Sequence, residues 1–381
     1  MTVRLVEDDD AGRALAEELE GERQIAVDLE AAGFHRYSDQ VRLVQLSTAE
    51  HTYIVDPMAF DPSAALRPPL EDPDVEVLIH GGDYDVRLLD RDLGIRPTSL
   101  FDTQTAATLV GEPSVGLAAL LEKYCGVSLS KKHQRADWAQ RPLPQEMVDY
   151  AADDTRYLHT LAGVLKARLA ELGRTAWGEE EFAALEKVRW EEDPDADPVT
   201  KVKNARRLSP HKLQALREAL AWRDEIARRR DRALFRVVGD HVLMTIVEEE
   251  PSSVAVLGKV KGINPRLAER QGGRLLERLR SVRDLPEDQI EPYPRPKQRG
   301  PGRATPEEEA WADKLKKART ARAEELGIDR GLLLPNAVIL DLARRAPVDA
   351  AGLEATEGLR KWQVEAVGDL VLAVMDGKGP A

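Results

Sequence analysis

Asp28, Glu30, Asp85, Tyr150 and Asp154 are the residues of this 381-residue chain whose types and spacing could do chemistry together. Asp28 and Glu30 follow the apolar run Ile25-Ala26-Val27, which reads as a strand, and residues two apart on a strand share a face. Asp85 follows an apolar stretch and the turn-like pair Gly81-Gly82, which sets it at the start of a helix. Tyr150 and Asp154 lie four apart in a segment of helical character, so they share a helix face at about 5–6 Å between Cβ atoms. Four carboxylates gathered in one place repel one another and are costly to bury unpaired. Magnesium or manganese relieves that cost, since hard divalent cations favour oxygen ligands. Two such ions about 3.5–4 Å apart stabilise both the attacking and the leaving oxygen of an in-line phosphoryl displacement. The tyrosine, one turn before the last acid, could hold the attacking water in line.

No single piece is diagnostic. The chain holds 68 acidic residues, and a second D-x-E occurs at Asp74-Val75-Glu76. What raises the joint weight is the order: acids on a strand, then at a helix start, then on a late helix with a tyrosine.

Those positions sit within the strings IAVDLEA, HGGDYDVRLL, FDTQTAA, HQRADWAQRPL and YAADDTRYL. In order and spacing they resemble the signature segments of the ribonuclease D family, the DEDD-type 3′-to-5′ exonucleases with tyrosine in the third motif. The resemblance runs over most of residues 1 to about 170. It implies Asp28, Glu30, Asp85 and Asp154 as ligands of two divalent metal ions (Mg2+ or Mn2+), and Tyr150 as the residue that orients water. The family spacing of tyrosine plus four selects Asp154 over its neighbour Asp153, which is expected to be solvated.

Pattern alone indicates an α/β domain with about five strands, at 4–6, 25–29, 41–47, 52–55 and 77–80. Helices are expected over 11–19, 84–89, 103–109, 117–124 and 145–169. The resemblance implies a ribonuclease-H-like exonuclease domain, a mixed sheet flanked by helices. Two breaks divide the rest: the polar Asp193-Pro194-Asp195-Ala196-Asp197-Pro198, and a proline-dense stretch between Leu285 and Pro306 that suggests a semi-rigid tether. The domains are therefore read as 1–175 (exonuclease), 176–208 (connecting helix and linker), 209–285 (helical), 286–305 (Pro-rich linker) and 306–376 (helical). At an offset of 96, Val242-Leu243 falls on Val338-Ile339, Ile246 on Leu342, Pro251 on Pro347 and Leu257 on Leu353. Both helical segments resemble the small all-α HRDC module found after the nuclease in ribonuclease D.

The net charge of −13 at first argues against a nucleic-acid partner. The charge is unevenly spread, however. Residues 1–200 hold 20 Lys/Arg against 40 Asp/Glu, and residues 201–381 hold 35 against 28. Within the second half, residues 201–236 carry 12 basic and 4 acidic side chains, an electrostatic footprint for a phosphate backbone. Arg228, Arg229, Arg230 and Arg232 are candidate RNA contacts there. In the first half, His80, Lys131, Lys132 and Arg135 are further candidates, and Phe34 and Tyr37 could stack on a terminal base or pack beneath a loop. A single cysteine, Cys125, excludes an internal disulfide framework and a thiolate metal cluster. No apolar stretch reaches transmembrane length and the N-terminus lacks a signal-peptide pattern, so no membrane association is expected and a cytoplasmic location is. Nothing in the sequence demands a protein partner. The resemblance implies RNA as substrate, particularly tRNA precursors with 3′ extensions, cut one nucleotide at a time to 5′-mononucleotides. A 3′-to-5′ DNA exonuclease of repair shares the chemistry, and a non-catalytic RNA-binding protein would show a broken acid set.

Overall fold

Central to the computed structural model, which describes residues 2–130, 132–193, 195–294 and 302–376, is the strand β2 (Gln24–Ala31). The sheet order is β1 (Thr2–Val6), β4 (His51–Val55), β3 (Val41–Ser47), β2, β5 (Glu76–Ile79) and β6 (Leu100–Asp102). β2 runs antiparallel to β3 and parallel to β5, so the sheet is mixed. Ile25, Ala26 and Val27 are wholly buried because helices cover both faces there. Past them the strand emerges at its C-terminal end, and a register shift between Glu30 and Ala31 ends its regular pairing with β3. That end of a central strand is where an α/β sheet opens to ligand.

Among the described residues, eight α-helices surround the sheet: α1 (Asp9–Leu19), α2 (Ser63–Leu70), α3 (Asp83–Leu88), α4 (Thr103–Leu109), α5 (Leu117–Cys125), α6 (Gln145–Arg156), α7 (Leu158–Glu171) and α8 (Thr175–Leu185), with a π-helical turn over Leu89–Leu93 continuing α3. Two expectations need correction. Among the described residues the sheet has six strands rather than about five, since β6 is a three-residue strand parallel to β5, too short to show a period. The expected single helix over 145–169 is two helices that part at Tyr157. α6 lies against β2, β3 and β4, whereas α7 lies against β2, β5 and α4, so the chain must turn between two packing directions.

The first helical module comprises α9 (Pro210–Arg229), α10 (Leu234–Val237), α11 (Asp240–Glu249), α12 (Val254–Leu257) and α13 (Pro265–Arg283). The second comprises α14 (Pro306–Leu326), α15 (Arg330–Leu333), α16 (Asn336–Arg345), α17 (Ala350–Glu354) and α18 (Lys361–Met375). Of the proline-dense stretch between them, residues 295–301 lie outside the described residues. The offset of 96 extends to side-chain detail. Buried Arg223 donates to the Val238 carbonyl at 3.0 Å and to Asp240 at 2.6 Å. Buried Arg319 donates to the Leu334 carbonyl at 2.7 Å and to Asn336 at 2.9 Å, at the same two spacings. Gly262 and Gly358, both at positive φ, fit beneath Val242 and Val338 respectively, where any side chain would be strained.

The modules attach differently. The second shares a continuous apolar core with the nuclease domain. Trp362 stacks on Trp177 of α8 with ring centroids 4.7 Å apart, and Glu180 accepts from the exposed backbone N–H groups of Lys361 and Trp362 at the start of α18. The first module keeps its own core and meets the nuclease domain mainly at the loop joining β2 to β3. Among the described residues, no helix is long and apolar enough to cross a membrane.

Candidate active site

The five candidate residues arrive from three elements. β2 presents Asp28 and Glu30 on one face, with apolar Leu29 buried on the other. Asp85 is the third residue of α3 and is buried. Tyr150 and Asp154 share one face of α6. Their charges act on one another across these elements, which makes them neighbours: the Glu30 carboxyl feels Asp28, Asp154 and Asp85, and the Tyr150 hydroxyl feels Asp154, Glu30 and Asp28.

Burial is the largest influence on each, and it favours the neutral form. It raises Asp28 to about 7, against a single stabilising hydrogen bond from the Leu29 backbone. Burial first, then Asp28 and Asp153, raise Asp154 to about 8. Glu30 is pushed up to about 10 by burial and the three surrounding carboxylates. Asp85 is held well above the usual carboxylate range, again by burial, then by Asp28 and Asp102. Tyr150 is raised too, so its hydroxyl keeps its proton and remains a donor. No described lysine, arginine or histidine forms an ion pair with any of the four acids. Neighbouring Asp153 does pair, with Arg156 at 2.9 Å.

An all-oxygen set of four carboxyls without a cationic partner among the described residues fits hard divalent cations in its chemistry. Among the described residues, no three His, Cys, Asp or Glu side chains yet converge as a finished coordination cage.

Supporting residues fix these positions. Asp102 caps α4 through Gln104 N and also accepts from Gly81 N at 2.8 Å, so it braces the turn that launches α3 and Asp85. Gly81 adopts φ +69°, and a side chain there would strike Gln104. Thr155 bonds Ser47 at 2.7 Å, which in turn bonds Thr52 at 2.9 Å, pinning α6 to the sheet beside Asp154. Arg141 grips Asp56 at 2.5 and 2.7 Å and donates to the Trp138 carbonyl, which sets Trp138 near the ring of Tyr150. Gln45 stands directly across from Asp28 in the β2–β3 register, fully buried, and its amide has no partner among the described residues. Sequence reading missed Gln45, although a lone amide inside Val41–Ser47 was the available signal.

Comparison with known proteins identifies the domains. Residues 3–170 match the 3′-5′ exonuclease family, and residues 212–279 and 308–375 each match the HRDC domain. The ribonuclease D of Pseudomonas paraeruginosa is 30% identical over 354 residues, 92% of each chain. The chain belongs to the ribonuclease D family. Among solved structures, a protein from Bifidobacterium adolescentis superposes with a TM-score of 0.82 at 25% identity, covering 98% of this chain and 97% of that one. Escherichia coli RNase D, an exoribonuclease involved in structured RNA processing, superposes with a TM-score of 0.71 at 26% identity over the whole of both chains.

In this ribonuclease D family member the expected RNA contacts are spread unevenly. Arg135 projects from the segment before α6, its guanidinium 5.6 Å from the ring centre of Phe34 beside the pocket. Lys132 is paired with Glu146 at 2.5 Å, and Lys131 lies outside the described residues. The His80 ring is bonded to Thr103 at 2.9 Å, and burial lowers its pKa, keeping it neutral. Arg228 is engaged by Asp224 and by the Tyr37 hydroxyl, so Tyr37 belongs to the contact between nuclease and first module rather than to the pocket. Arg229, Arg230 and Arg232 are exposed on that module.

Proposed function

We propose that this hydrolytic exoribonuclease removes nucleotides one at a time from the 3′-hydroxyl end of RNA at the pocket formed by Asp28, Glu30, Asp85, Tyr150 and Asp154. The observation that carries this reading is that four partly or wholly buried carboxyls on β2, α3 and α6, none with a cationic partner among the described residues, lie near enough to raise one another's pKa, and three of them act on the Tyr150 hydroxyl as well. The four carboxylates would hold two divalent cations. Bound there, such ions supply a lowered pKa for the attacking water and neutralising charge at the leaving 3′ oxygen. The residues of the chain do the rest. Tyr150, still protonated, donates toward the water and fixes its line of approach. Without positive charge nearby, burial and mutual repulsion keep these carboxyls largely protonated, and a bound cation would displace those protons. Trp138 and the Ser47–Thr155 bond keep α6 from shifting, so Tyr150 and Asp154 stay in register with Asp28.

The substrate we infer is structured RNA with a short unpaired 3′ extension, tRNA precursors above all, handled in the cytoplasm. An acidic nuclease half and a basic segment over residues 201–236, which runs into the first helical module, divide cutting from holding. Incubation of a 3′-extended tRNA with protein and magnesium or manganese should release 5′-mononucleotides. Asp154→Asn should abolish release while RNA binding persists, and a 3′-phosphate should block the reaction. Trimming that survives Asp154→Asn would refute the assignment.

A further inference from the structure

Two large aromatic side chains stand exposed where the first module meets the nuclease domain. Phe34, four residues past Glu30, is 40% exposed, and Phe235 of the module is 53% exposed. Their ring centres lie 5.4 Å apart at an interplanar angle of 54°. Had these rings served docking alone, they would be buried against each other's domains. Instead both line an open cavity of about 510 Å³ that begins at Glu30 and is closed on another side by Tyr84.

Arg236 fixes this arrangement. Its Nε donates to the Phe34 carbonyl at 2.6 Å, and its guanidinium sits 4.7 Å from the Phe34 ring centre. The same side chain lines a second concavity of about 200 Å³ on the module, with Arg230, Arg232, Arg266 and Arg270. Among the described residues, none of these last four forms an ion pair with a carboxylate. Four unpaired guanidinium groups facing one hollow repel one another, and an anion is what relieves that repulsion. The two cavities therefore adjoin through consecutive residues, one aromatic and beside the acids, one cationic and farther out.

We propose that the first module completes the active site: Phe34 and Phe235 form a wall on which bases near the 3′ end stack, and the arginine hollow holds the phosphates that precede them. This rests on the exoribonuclease reading and specifies its substrate as an unpaired 3′ tail. Base faces are free to stack on aromatic rings in a single strand, whereas in a duplex they are already covered. The wall thus discriminates by strandedness without reading sequence, and trimming slows when the tail shortens to the helix.

The probe is a single-stranded RNA with 2-aminopurine at its last two positions, bound without divalent cation so that it is not cut. Wild-type protein should quench its fluorescence, Phe235→Ala should lose most of that quenching, and Phe235→Trp should restore it. On the same RNA with manganese, Phe235→Ala should lower kcat/KM about tenfold or more, with the melting temperature unchanged. Replacing Arg266 and Arg270 together by Gln should flatten the slope of log affinity against log salt by about 1.4, at about 0.7 per phosphate contact on a single strand. Unchanged quenching and unchanged kcat/KM in Phe235→Ala, in a series whose wild type trims the RNA, overturn the proposal alone. Quenching by a wild type that never trims overturns the exoribonuclease reading and leaves the stacking wall standing.

Discussion

Asp28 stands two residues before Glu30 on the same face of β2, and its charge helps hold the Glu30 carboxyl in the protonated form. Neither has a cationic partner among the described residues. The metal-free protein therefore carries an electrostatic load at its centre that grows as pH rises. A carboxyl with a higher pKa folded than unfolded binds its proton more tightly when folded. It favours folding below the unfolded value, and that gain is lost as pH rises through the folded value. With Asp28 raised to about 7 and Asp154 to about 8, the melting temperature in EDTA should fall from about pH 5 to about pH 9. Manganese should restore it, with the larger effect at the alkaline end. Thermal melts across that range with and without manganese check this; a flat metal-free profile contradicts it.

Asp28→Asn should separate stability from activity. Removing one buried charge relieves the repulsion on Glu30, Asp85 and Asp154. The metal-free variant should be more stable than wild type at pH 8, on the order of a few kcal/mol. Nucleotide release should fall by at least about 10²–10³-fold. Denaturant unfolding in EDTA and a trimming assay measure the two effects on one preparation.

Tyr150→Phe deletes one hydroxyl and leaves the ring against Trp138. The expected result is a loss of about 10²-fold in kcat with RNA affinity and melting temperature near wild type. Steady-state kinetics beside a binding isotherm distinguish this from a packing defect, which would lower stability as well.

Arg223 and Arg319 hold equivalent places in the two modules, but their replacement should have different consequences. Each side chain satisfies the carbonyl of the residue that ends the short helix following its long one. Arg223→Met or Arg319→Met should each cost about 1–3 kcal/mol. The first module has a core of its own, so Arg223→Met should produce a separate low-temperature transition. The second shares its core with the nuclease domain, so Arg319→Met should lower the main transition. Calorimetry of the two variants resolves the pattern.

What the sequence revealed and what it hid follow physical lines. The elements and faces that carry the acids were legible because strand and helix periodicities are local, as with Asp28 and Glu30 two apart on β2 and Tyr150 and Asp154 four apart on α6. The 96-residue repeat was legible from apolar residues, and it extends to Arg223 and Arg319, whose hydrogen bonds only coordinates display. The break at Tyr157 was hidden because no proline or glycine marks it; two packing directions impose it. α2 was hidden by Pro68 and Pro69, which read as helix breakers yet lie inside Ser63–Leu70. The meeting of Phe34 with Phe235 has no local signature at all, since 201 residues separate them.

The central claim, that Asp28, Glu30, Asp85 and Asp154 together hold the cations that serve RNA cleavage, is tested most directly by anomalous diffraction from manganese-soaked crystals of protein shown to trim RNA. The expected result is manganese bound among these four carboxylates beside the Tyr150 hydroxyl, and absent from crystals of Asp28→Asn. Manganese bound elsewhere, with this pocket empty in active protein, would contradict the account.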